Sequence, residues 1–150
     1  MTRPSGLRFL LDGAHNVGGA AILADALKEH FPGPKPALVL GVLQDKDWPA
    51  ICRILAPLAG RILLAPVSSE RSAAPEDLAV ACRQANPDAK IVACATLADA
   101  LAQVADELFV AVTGSLYLVG EALELLGEAP AGGGAERSLN EWSAKPCSFC

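Results

Sequence analysis

The chain has 150 residues and a mass of 15.5 kDa; it is 52% hydrophobic, 19% charged and 5% aromatic, with a net charge of −5 and a pI near 4.9. A composition this apolar excludes a disordered chain. No apolar run reaches the roughly 18–20 residues of a membrane span, and no signal-peptide pattern opens the sequence. The 12 Lys and Arg residues are scattered without a basic stripe, which argues against nucleic-acid binding.

The length suits one domain. Short apolar runs at residues 8–11, 37–42, 61–65, 90–94 and 108–112 have the length of strands. Each is nearly continuous in Leu, Val, Ile and Ala, the pattern of strands covered on both faces. The stretches between them have helical spacing. From residue 17 to 31, Ala20, Leu23, Ala24, Leu27 and Phe31 share one face, and Pro32-Gly33 ends the helix. Trp48, Ile51, Cys52 and Leu55 form the stripe of the second helix, with Asp47 as its N-cap and Pro57 as its stop. The third opens at Pro75, has Glu76 and Asp77 in its first turn, and ends at Asn86-Pro87. The fourth starts at a capping-box-like Thr96-Leu97-Ala98-Asp99. The fifth follows Gly114, with Leu116, Val119, Leu123 and Leu126 on one face.

Five strands alternating with five helices predict a three-layer α/β/α fold: a doubly wound, mostly parallel five-stranded sheet over residues 1–127. Residues 128–150, rich in Gly, Ala, Ser and Pro, read as a flexible tail. Of the five cysteines, 52, 82 and 94 lie in apolar stretches and read as small buried residues. Without a signal peptide, a cytoplasmic location fits better than a disulfide framework. Cys147 and Cys150 supply only two metal ligands, half a tetrahedral site, so no metal centre is expected within this chain.

Such folds bind ligands at the carboxyl ends of their strands. The first strand runs into Leu11-Asp12-Gly13-Ala14-His15-Asn16 and then a helix start, which offers a carboxylate, an imidazole, an amide and free N–H groups. The same residues also make an ordinary turn, with Asp12 or Asn16 capping the helix and His15 on the surface. The second strand leads to Gly41-Val42-Leu43-Gln44-Asp45-Lys46-Asp47. There Asp47 reads as a cap, whereas Asp45 and Lys46 fit either a charged ligand or a solvated ion pair. The fifth leads to Val112-Thr113-Gly114-Ser115-Leu116-Tyr117, where Ser115 is a ligand-facing hydroxyl or an N-cap. Neither a P-loop nor a G-x-G-x-x-G fingerprint is complete, since Gly19-Ala20 stands where Lys-Ser/Thr is required. There is no G-x-S-x-G nucleophile elbow, and Thr113-Gly114 stands where a phospho-receiver domain needs a lysine.

Together these three loops resemble the C-terminal domain of the folylpolyglutamate synthase/dihydrofolate synthase family, in the Mur ligase superfamily, over about residues 9–126. The resemblance implies a Rossmann-like fold and an ATP- and Mg2+-dependent ligase. Such an enzyme adds L-glutamate to folate or dihydropteroate through an acyl phosphate. It implies a nucleotide-side motif of Asp12, Gly13, His15 and Asn16, with Asp12 on the ATP ribose. His15 becomes the catalytic candidate, near the phosphates or the incoming glutamate. Thr113, Ser115 and Tyr117 face glutamate. It also implies that the loops after the first and fifth strands meet, because those strands are neighbours in the family fold. The family's P-loop domain, which carries most of the magnesium ligands, has no match in this sequence. Neither has its linker arginine, nor the antiparallel strand that covers the edge beside residues 8–11. The chain alone is therefore expected to be inactive and to need a P-loop N-terminal ligase domain as partner. The alternative is a stand-alone, non-catalytic module that binds a nucleotide or an amino acid. A Mur-type cell-wall peptide ligase fits less well, because Gly13-Ala14 precedes the histidine where those enzymes carry an aromatic residue.

Overall fold

The computed structural model describes residues 6–127. The segment read as a tail, with Cys147 and Cys150, lies outside the described residues, as do residues 1–5. In chain order the elements are β1 (Arg8–Asp12), α1 (Val17–His30), β2 (Ala37–Leu40), α2 (Trp48–Leu55), β3 (Arg61–Leu64), α3 (Pro75–Ala85), β4 (Lys90–Ala93), α4 (Leu97–Gln103), β5 (Phe109–Thr113) and α5 (Leu116–Leu125). A single 3-10 turn, Ala56–Leu58, extends α2 through Pro57. The α-helical part thus ends at Leu55, ahead of Pro57, and the 3-10 turn carries the chain past that proline. The strand order is β1-β5-β2-β3-β4, and every pairing is parallel.

Side chains on a strand alternate between faces, so an apolar run along its length requires cover on both. Leu10, Leu38, Leu40, Ile62, Leu64 and Ala111 join the cluster with Leu23, Leu27, Ile51, Leu55 and Leu78 of α1, α2 and α3. Phe9, Leu11, Val39, Leu63, Val110 and Val112 join Leu97, Ala100, Leu118, Val119 and Ala122 of α4 and α5. This is the three-layer arrangement expected from the sequence. β4 departs from it. Ile91 and Ala93 pack against the first cluster, but Val92 on the opposite face is 38% exposed. β4 lies at one end of the strand order, and the second face has only two helices to cover it.

Local chemistry sets the helix starts. Asn16 Oδ1 accepts from the Gly19 N–H at 2.7 Å, Asp47 Oδ1 from Ala50 at 3.3 Å, and Thr96 Oγ1 from Asp99 at 3.0 Å. Each satisfies one of the unpaired donors in a first helical turn. α3 lacks a side-chain cap and instead has Pro75 at its start and acidic residues in its first turn.

Cations scattered in the sequence converge in space. Arg8, Arg61 and Lys90 begin β1, β3 and β4, and parallel strands start on one edge. Arg61 pairs with Asp106 and Glu107 at 3.4 Å each, Lys35 donates to the Pro57 carbonyl at 3.2 Å, and the Arg8 guanidinium lies 5.6 Å from the stacked rings of Phe31 and Phe109. Helices in such a fold end on this edge, so the cations also complement their negative dipole ends. No helix among the described residues is long and apolar enough to cross a membrane.

Cys52, Cys82 and Cys94 are free and buried, as their apolar surroundings suggested. The hydrogen bond with the Cys82 side chain, together with burial, holds the Cys52 thiol far above its ordinary value of 9.0, and the same contact lowers Cys82, so Cys52 is the thiol of the pair that keeps its proton. An unfolded chain releases this proton near pH 9 while the folded chain keeps it, so rising pH favours unfolding. Below about pH 8.5 the contribution of Cys52 to stability is fully present. Denaturant melts should show stability falling as the pH rises above about 9, with a shallower decline for Cys52→Ala. Equal slopes for the two proteins would show that Cys52 titrates like an ordinary thiol.

Candidate functional site

Three strand ends converge on the carboxyl edge. β5 lies between β1 and β2, and its last residue, Thr113, is in register with Asp12 on one side and Leu40 on the other. The loops after these three strands are the ones singled out in the sequence. The loop after β1 is joined to β5 through Thr113 Oγ1, which donates to the carbonyl of Ala14, 99 residues earlier in the chain, at 3.5 Å.

Close packing of the loops depends on glycine. Gly114 has φ +113°, and a Cβ there would run into the carbonyl oxygen of Gly41. An L side chain is strained at that φ and has no room beside that backbone. At Gly13 a Cβ would instead strike the tip of the Leu116 side chain. Leu116 therefore lies across Gly13 and spans the first and third loops.

Between the loops is a cavity of about 180 Å³ lined by His15, Leu43, Lys46, Gly114, Ser115, Leu116 and Tyr117. Three of the predicted residues, His15, Ser115 and Tyr117, meet here. His15 is half-buried, and its Nδ1 lies 2.9 Å from the Gly13 carbonyl oxygen. A carbonyl only accepts, so Nδ1 carries the hydrogen and the neutral ring presents Nε2 as an acceptor. Ser115 is 3% exposed and caps α5, its Oγ accepting from the Tyr117 N–H at 3.1 Å. The hydroxyl hydrogen remains as a donor. Leu116 and Tyr117 are 61% and 65% exposed, so the α5 start presents an apolar and an aromatic side chain at the surface.

The other predicted residues take positions around the cavity. Asp12 is half-buried, and its Oδ1 accepts from the Ala14 N–H at 2.8 Å, closing the turn that carries His15. Asn16 caps α1. Thr113 is fully buried and does not line the cavity; its hydroxyl fastens the loops together. At Asn16 and Ser115 the capping reading and the site reading are compatible, because capping uses one acceptor oxygen and leaves other polar atoms.

Asp45 and Lys46 are the two residues whose roles the sequence left open, and the structure separates them: of the two, only Lys46 lines the cavity. Its neighbours are engaged elsewhere: Asp45 pairs with Arg71 Nη2 at 3.2 and 3.3 Å, and Asp47 caps α2. Neither adjacent carboxylate is therefore committed to Lys46, which lines the cavity with His15. Nothing local in Asp45-Lys46-Asp47 reveals this, since Arg71 lies 26 residues from Asp45. Among the described residues no group of three or more His, Cys, Asp or Glu side chains could hold a metal ion. Two larger hollows, of about 500 and 540 Å³, lie on the strand-start edge, and none of the predicted site residues lines them.

Residues 1–116 match the family described as Mur ligase, glutamate ligase domain. A folylpolyglutamate synthase from Lacticaseibacillus casei is 34% identical over 118 residues, covering 79% of this chain and 27% of that protein. The Mycobacterium tuberculosis folylpolyglutamate synthase, solved in complex with ADP, superposes with a TM-score of 0.70 at 31% identity, over 79% of this chain and 30% of the other. The folylpolyglutamate synthase of Thermotoga maritima gives a TM-score of 0.71 at 32% identity, over 79% and 27%. The chain thus spans less than a third of the length of these relatives.

The two glycine positions should respond differently to the same change. Gly114→Ala meets backbone at a strained φ and should lower the unfolding free energy by about 2–3 kcal/mol. Gly13→Ala meets only a mobile, largely exposed leucine tip and should cost less than about 1 kcal/mol, while pushing Leu116 toward the cavity. Urea melts of the two variants test this ordering.

Proposed function

Because this chain belongs to the Mur ligase family and is homologous to the C-terminal domain of folylpolyglutamate synthase/dihydrofolate synthase, we propose that it supplies the ATP- and glutamate-side half of an amide-ligase site. The reaction joins the amino group of L-glutamate to a carboxyl group of folate or dihydropteroate. The observation that carries the reading is the convergence of His15, Lys46 and Ser115, from three different loops, on one small cavity.

The cavity is smaller than the roughly 300–1,000 Å³ of pockets that enclose a drug-sized ligand. It suits one end of a small ligand, with the remainder held by a facing surface. The Lys46 ammonium and the Ser115 hydroxyl attract and orient a carboxylate through charge-assisted hydrogen bonds. The walls of Leu43, Leu116 and Tyr117 pack against its methylene groups. His15, through Nε2, is placed to accept a proton from the attacking amino group, since only the neutral amine is a nucleophile. Asp12 has a second carboxylate oxygen with which to accept from a ribose hydroxyl, and the α1 start beyond it offers backbone N–H groups to phosphate.

ATP, when bound, supplies the phosphoryl group that activates the acceptor carboxyl as an acyl phosphate. Asp12 and the 13–16 turn fit its ribose and phosphates in donor and acceptor type. The Mg2+ ligands are assigned mainly to a P-loop domain, which also carries the acceptor pocket. The partners of this chain are then that P-loop domain, L-glutamate and the folate or dihydropteroate acceptor, in the cytoplasm.

Titration of the 15N-labelled chain tests the half-site. L-Glutamate should give saturable shifts at His15, Lys46 and residues 115–117, and Mg-ATP separate shifts at residues 12–16. Lys46→Ala should weaken glutamate binding by about tenfold or more, the effect of losing one charge-assisted hydrogen bond. ADP release with glutamate and folate should be absent from the pure chain and appear when the P-loop domain is added. Turnover by the pure chain, or glutamate shifts away from this cavity, would refute the assignment.

A further inference from the structure

The turn that carries Lys46 is not held by its own helix alone. It is strapped to the loop between β3 and α3, which none of the recognised motifs includes. The Gln44 N–H donates to the Arg71 carbonyl at 2.6 Å, and the Ala73 N–H to the Val42 carbonyl at 2.8 Å. Leu43 and Ser72 form an isolated antiparallel bridge. The Lys46 N–H closes the turn on the Leu43 carbonyl at 3.1 Å. Leu43 and Lys46 both line the cavity, so this strap sets one of its walls.

The strap in turn hangs on one hydroxyl. Ser72 Oγ accepts from the Val67 N–H at 2.9 Å and donates to the Ala73 carbonyl at 3.0 Å. Val67 and Ala73 are both buried, so these polar groups have little access to water. The loop closes further through the Ser72 N–H to the Ser69 carbonyl at 3.1 Å and the Arg71 N–H to Ser69 Oγ at 3.1 Å. By contrast, the Arg71–Asp45 ion pair on the same strap is more than half exposed at both partners. Such a pair holds geometry weakly, whereas removing the acceptor of a buried N–H leaves that group unsatisfied.

We propose that Ser72 is a positioning residue for the anion-binding cavity. Its hydroxyl keeps the Arg71–Ala73 backbone in the shape that pins the Lys46 turn, and through it the ammonium and the Leu43 wall. The consequence for glutamate rests on the functional reading above; the consequence for the turn does not.

Amide hydrogen exchange and L-glutamate titration of the same 150-residue chain, as wild type, Ser72→Ala, Ser72→Thr and Asp45→Asn, separate the two. In Ser72→Ala, exchange at Gln44 should accelerate about tenfold, with Leu63 and Leu64 in β3 within about twofold of wild type. Glutamate affinity should fall about five- to tenfold. Ser72→Thr, which keeps the hydroxyl, should restore both, and Asp45→Asn should change either by less than about twofold. Unchanged exchange at Gln44 in Ser72→Ala overturns the proposal. So does equal acceleration throughout β3, or a variant that does not fold, because the hydroxyl would then serve the fold as a whole. A wild-type chain that does not bind glutamate removes the functional reading, while the Gln44 exchange still decides the role of Ser72.

Discussion

Three strand ends can share one small cavity only if their backbones come closer than a side chain permits, and Gly114 is where this chain meets that condition. Its positive φ turns the chain from β5 into α5 against the Gly41 carbonyl at the end of β2. On the other side, Thr113 fastens β5 to the loop after β1. β5 thus acts as the spine of the site, with one loop joined to each flank. Any side chain at position 114 would separate the β2 and β5 loops, and with them Lys46 and Ser115.

The site and the scaffold use many of the same atoms. Asn16 and Ser115 start the helices that follow the two motif loops, and Asp12 closes the turn on which His15 sits. Each has a structural task that holds it still, which is the condition for a functional group to be preorganised. Charge is sorted in the same way. Asp45 is drawn off by Arg71 and Asp47 by the α2 start, which leaves Lys46 as the cation of its loop at the cavity. On the opposite edge, Arg61 is matched with carboxylates, Lys35 with a carbonyl and Arg8 with aromatic rings.

The small size of the cavity follows from the architecture. The carboxyl edge of an open parallel sheet is a shallow surface, and the exposed Leu116 and Tyr117 stand beside the hollow. A second surface placed against them would deepen the cavity and exclude water, strengthening every charged contact within it. That geometry agrees with a chain spanning less than a third of its relatives.

Much of this was legible in the sequence because it is governed by local chemistry. Strand-length runs of Leu, Val and Ile separated by helical stripes specify layers, since burial on one face or two leaves its own periodicity. Asp47 and Thr96 announce helix starts through the hydrogen bonds they make three residues on. The motif loops marked His15, Ser115 and Tyr117, which do meet. What the sequence could not determine depends on partners distant along the chain. The half-exposed β4 follows from its place at the end of the sheet, not from its composition. Thr113 turned inward because the Ala14 carbonyl lies 99 residues away in sequence and beside it in space. Asp47 could be read as a cap, but Asp45 was drawn away from Lys46 by Arg71, 26 residues further along the chain. Periodicity and capping act over a few residues and can be read along the chain, whereas the pairing of a charge or hydroxyl is settled by which strands lie side by side.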